Sequence, residues 1–184
     1  ILILANRQFV QTLLSSDSDT SENNTGFALS LSWGWITTLL ASIIYVLFTV
    51  KKKTGSYRLS DLITFSLING VFEQSMFILW FLVGCYVGQK LFPKHPICIF
   101  ISGYFIYCIY SGLIHVFFWV PVLPSHEPFA PMVVILPFMS LFWMWLFWKY
   151  QAIFSILFMH VAIDFLTIGH LHFSWFEPYS KSNL

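Results

Sequence analysis

Residues 62–88 read LITFSLINGVFEQSMFILWFLVGCYVG, an apolar run with one charged side chain, Glu73, near its middle. A helical span needs about 20 predominantly apolar residues to cover the hydrocarbon thickness of a bilayer. An ionisable group at that depth costs several kcal/mol unless it meets a partner or faces a water-filled cavity. The stretch therefore predicts a membrane-spanning helix and also marks where to look for chemistry.

The same pattern recurs on either side. Gly26 to Val50 forms a run closed by Lys51, Lys52 and Lys53; Pro96 to Val120 is bounded by prolines. Pro131 to Trp148 and Tyr150 to Ile168 follow with almost no connector between them. The expected fold class is all-α: a polytopic transmembrane helix bundle of about five spans, residues 26–168. Residues 1–25 are expected to form an N-terminal interfacial and flexible segment. Within it Gln8 to Leu14 is a short surface helix, and Ser15 to Thr25 a polar, Ser- and Asn-rich connector. Residues 169–184 form an aromatic, partly polar tail.

Composition agrees with this reading. Of 184 residues, 58% are hydrophobic and 9% charged, with a mean hydropathy of +0.76. A soluble domain carries roughly 25% charged residues. The net charge of +1 and the lack of a basic groove-like stretch exclude a nucleic-acid partner. The expected partners are the lipid bilayer and a membrane protein or peptide, bound as partner or substrate. Cys85, Cys98 and Cys108 form no CxxC pair and sit in apolar surroundings, which suits packing. Lysine and arginine concentrate on the cytoplasmic side of membrane proteins. Lys51, Lys52, Lys53 and Arg58 thus place the loop after the first span inside, the N-terminus outside and the C-terminus in the cytoplasm.

Four ionisable residues fall within the apolar runs: Glu73, His115, His160 and Asp164. Counted at about 1.5 Å per helical residue, all four lie in the inner half of the membrane, as expected for one shared polar site. His160 and Asp164 are four apart and share a helix face, as do Asn69 and Glu73. Each also has a plain structural reading, a polar side chain bonded to a neighbouring helix.

Taken in order, Glu73-Gln74-xxx-Ile78, Ser111-xxx-His115 and His160-xxx-Asp164 resemble the three motifs of the CPBP family, the CAAX-protease and bacteriocin-processing membrane endopeptidases. Those motifs are Glu-Glu-xxx-Arg, Phe-xxx-His and His-xxx-Asn, and the resemblance covers about residues 60–168. It implies that Glu73 and His115 activate a water, while His160 and Asp164 face the oxyanion of a tetrahedral intermediate. This chain differs at Gln74, Ile78, Ser111 and Asp164. An ionised Asp164 repels an oxyanion that a donor should stabilise. The same resemblance therefore implies an alternative: a degenerate relative serving as an accessory or scaffold subunit of a larger membrane complex, photosynthetic and pigment-containing complexes included. The motifs require no cofactor. Two histidines with two carboxylates are also a donor set for zinc or iron, and a membrane histidine among many aromatics suits chlorophyll or haem; these are minority readings.

Overall fold

The computed structural model describes residues 20–49, 59–119 and 130–170. Five α-helices account for nearly all of them: α1 (Thr20–Thr49), α2 (Leu59–Leu91), α3 (Pro96–Ile114), α4 (Ala130–Tyr150) and α5 (Ile153–His170). No strand occurs among the described residues. Three helices are long and apolar enough to cross a membrane, over Asn24–Phe48, Leu59–Leu91 and Pro96–Phe118; Val134–Tyr150 and Ile153–Thr167 are apolar but shorter. The chain is an all-helical membrane bundle. The surface helix at Gln8 to Leu14, the basic cluster Lys51 to Arg58, His126, His172 and the tail beyond 170 lie outside the described residues.

Two boundaries differ from expectation. Thr20 to Thr25 was expected in the polar connector but forms the first turns of α1. The third span does not end as a regular helix: from His115 to Trp119 it opens into a π-helical turn.

Polarity is arranged inside out relative to a soluble protein. Large apolar side chains cover the surface, with Phe154 87% exposed, while Thr37, Thr38, Ser42, Glu73, Gln74 and His160 are buried. Four helical hydroxyls are satisfied locally: Thr38, Ser42, Ser102 and Thr167 each donate to the carbonyl one turn back, at 2.7–3.0 Å. That bond lets a hydroxyl sit in an apolar setting without a partner helix.

The main helix pairings run α3–α2–α5–α1–α4, and α4 meets α3 to close the circuit. Consecutive helices α2 and α3 pack antiparallel through glycines. A β-carbon placed on Gly84 would lie 2.5 Å from the Ser102 carbonyl oxygen, and one on Gly88 would lie 2.7 Å from Ser102 Cβ. Small residues let membrane helices approach until their backbones touch, replacing the hydrophobic drive that lipid removes. Tyr104 donates to the carbonyl of Pro137, joining α3 to α4. Trp143, Met144, Leu146, Ile156 and Met159 fill the centre.

Between α4 and α5 the chain turns in two residues, neither of them glycine or proline. Gln151 adopts φ 57°, its N–H donates to the Phe147 carbonyl at 3.0 Å, and the Ala152 N–H reaches the Leu146 carbonyl at 3.3 Å. This is a left-handed C-terminal cap, a conformation costing a residue with a Cβ roughly 1–2 kcal/mol. Gln151→Gly is therefore expected to raise stability by about 1 kcal/mol, read as a higher midpoint of thermal unfolding in detergent.

Candidate functional site

The site begins with a close approach. A β-carbon on Gly70 would stand 2.8 Å from Val161 Cγ2 and 2.9 Å from the Val161 backbone nitrogen. The hydrogen at position 70 thus lets α2 rest on the backbone of α5. The two helices run antiparallel here, so residues just before and after Gly70 face residues just after and before Val161.

Asn69 and Glu73 lie on one face of α2, and His160 and Asp164 on one face of α5. Asn69 Nδ2 donates to Glu73 Oε2 at 2.8 Å and to Asp164 Oδ2 at 2.9 Å. One amide group thus spends its two hydrogens on two carboxyls from different helices. His160 Nε2 lies 3.6 Å from Glu73 Oε2 and 3.8 Å from Asp164 Oδ1. His160 Nδ1 donates to Gln74 Oε1 at 2.8 Å. Every member of the cluster is thereby held by a side chain from the opposite helix.

Aromatic rings wall the imidazole. Phe77 stacks on it with centroids 5.7 Å apart, and the Trp143 ring is tilted against it at 5.6 Å. Trp143 Nε1 donates to Thr38 Oγ1 at 3.0 Å, and Phe77 meets Tyr107 and Tyr110 edge-on at 5.3 and 5.8 Å. Apolar walls strengthen the electrostatic interactions they enclose. The Asp164 side chain, 14% exposed against 6% for Glu73 and 7% for His160, is the most accessible of the three.

The structure therefore brings Glu73, His160 and Asp164 together. His115 is placed where α3 passes into the π-helical turn, half-buried, with Nδ1 donating to the Ser111 carbonyl at 2.7 Å. Ile78 is half-buried against the core. Two residues take part that sequence reasoning did not count as site members. Asn69 could have been found from its four-residue spacing to Glu73, which puts it on the same face. Gln74 is adjacent in sequence to Glu73, and a neighbour about 100° round a helix gives no signal of a shared partner. His160 projects between them and touches both. Among the described residues no group of three or more His, Cys, Asp and Glu side chains is arranged to hold a metal ion.

Comparison of the chain with protein-family profiles, with curated proteins and with solved structures yields no match.

Proposed function

We propose that the α2–α5 cluster is the site of an intramembrane endopeptidase of CPBP type. Glu73 takes a proton from a water, whose oxygen bonds to the carbonyl carbon of a peptide. His160 Nε2, 3.6 Å from Glu73, receives that proton and so becomes the donor that meets the carbonyl oxygen as it gains charge. The C–N bond then breaks, and the proton returns through Glu73 to the departing amine. By its motif position His115 joins Glu73 in orienting the water. The peptide enters from the cytoplasmic leaflet, with the loop of Lys51 to Arg58 on that side.

The observation that carries this reading is the 3.6 Å approach of Glu73 to His160 Nε2, two residues from separate motifs on separate helices, inside an aromatic enclosure. A general base must stand within hydrogen-bond reach of the proton it takes, directly or through one water. The test compares wild type with Glu73→Gln on prenylated and leader peptides, the protein being reconstituted in liposomes. Loss of at least about 100-fold in cleavage rate is expected. Equal cleavage by both, or by neither, overturns the reading.

One observation favours the alternative of a non-catalytic accessory subunit. Asp164 Oδ1, 3.8 Å from the same imidazole nitrogen, puts an acceptor where the resembled motif carries an amide donor. In that case the chain purifies with a stoichiometric membrane partner or pigment, and Glu73→Gln leaves the assembly intact.

A further inference from the structure

Two of the departures from the resembled motifs meet at one ring. Gln74 stands where that motif has a second glutamate, and Asp164 where it has an asparagine. In the folded protein they lie on opposite nitrogens of His160: the Gln74 carbonyl oxygen 2.8 Å from Nδ1, an Asp164 oxygen 3.8 Å from Nε2. An amide and a carboxyl thus stand at opposite nitrogens of one imidazole.

We propose that Gln74 and Asp164 are a compensating pair that positions His160: the amide fixes the proton on Nδ1, and the carboxyl absent from position 74 is supplied at Nε2 by Asp164. The inference deepens the peptidase reading by assigning Gln74 as a positioning residue, and its tests read the protein without any substrate.

Three observations support it. Gln74 is fully buried, and its carbonyl oxygen, able only to accept, requires a hydrogen on Nδ1. The tautomer of a histidine is set by the hydrogen bond its other nitrogen makes. The Gln74 Nε2 group is buried and has no hydrogen-bond partner. Gln74→Glu therefore keeps the shape and the one bond the side chain makes, and changes only charge. Asp164 Oδ2 already accepts from Asn69 at 2.9 Å, a bond that an asparagine carbonyl oxygen can keep while its NH2 turns toward Nε2.

Charge then couples the two positions. Gln74→Glu alone crowds three carboxyls around one imidazole. Asp164→Asn alone leaves Glu73 as the single carboxyl beside it. The double variant restores two carboxyls and one amide, with sides exchanged. Residues in one network couple, whereas independent sites add.

Two measurements on the detergent-solubilised full chain test this. Nitrogen NMR of histidine-labelled wild type should show Nδ1 of His160 as the hydrogen-bearing nitrogen, with Gln74→Leu redistributing the proton between the ring nitrogens. A wild-type Nδ1 without hydrogen, or a signal unchanged in Gln74→Leu, overturns the proposal. In a thermal double-variant cycle each single change should lower the midpoint by about 5 °C, and the pair should regain at least half of the summed loss. Additive losses overturn it. Because neither readout involves cleavage, a protein inactive on every peptide can still show the coupling, and an active one can lack it, so the two readings fail separately.

Discussion

Gly84→Leu should prevent α2 and α3 from packing. Position 84 has no room even for a methyl group, since a β-carbon there would lie 2.5 Å from the Ser102 carbonyl oxygen and 2.7 Å from Gly103 Cα. Both obstacles are backbone atoms, so no side chain can turn aside to make space. On α3, a β-carbon at Gly103 would collide with Cys85 Sγ and stand 2.9 Å from the Phe81 carbonyl oxygen, which closes the alternative of moving α2 along its partner. Overpacking a tight interior costs about 1–3 kcal/mol even where side chains can shift; here the helices themselves must separate, and the cost exceeds that range. The expected outcome is a broad, aggregated profile on size exclusion in detergent. Gly112→Leu is the control: a β-carbon at Gly112 meets nothing within 4 Å, and this variant should elute like the wild type. A monodisperse, wild-type-like Gly84→Leu would contradict the described α2–α3 contact.

The second large effect belongs to Trp143, 1% exposed at the centre of the bundle. Its ring lies 5.6 Å from that of His160 and its N–H donates to Thr38 Oγ1 at 3.0 Å, so one side chain from α4 reaches both α5 and α1. Trp143→Ala removes the largest fully buried side chain and should cost about 3–5 kcal/mol, lowering the unfolding midpoint by roughly 10 °C. Trp143→Phe separates the contributions. It keeps much of the ring volume and loses the hydrogen bond, for a loss of about 1 kcal/mol. Thr38 retains its own bond to the Gly34 carbonyl at 2.7 Å, so no buried donor is stranded. Equal losses for the two variants would show that the indole N–H, rather than the volume, is what matters.

Much of the bundle was legible before folding because lipid imposes a simple rule. A backbone with no water to bond must close its hydrogen bonds within a helix, so long apolar runs read directly as helices, and the runs around Gly34, Glu73 and Tyr104 are helices in the structure. Ends were harder to read, being set by local geometry rather than by hydropathy. Thr20 to Thr25 is polar yet helical. The turn at Gln151 carries none of the residues that usually announce a left-handed cap. In the site, spacing exposed the pairs Asn69–Glu73 and His160–Asp164, since residues four apart share a face. It was silent on which face meets which helix. That information lies in Gly70, whose missing side chain admits the backbone at Val161, and a glycine in an apolar run looks the same whether it has open space around it, as Gly112 does, or meets another helix.

Helix α5 packs chiefly on α2 and α1, although it follows α4 in the chain after only two residues. The ribosome releases it after the other four described helices. Until it arrives, Glu73, Asn69 and Gln74 have neither His160 nor Asp164 to meet, and the surfaces of α1 and α4 that Met159 and Ile156 will cover stand against lipid. A carboxyl left in the bilayer without its counterpart is costly. The arrival of His160 removes that cost. The last described helix to leave the ribosome is thus the one that neutralises the exposed polarity of the second.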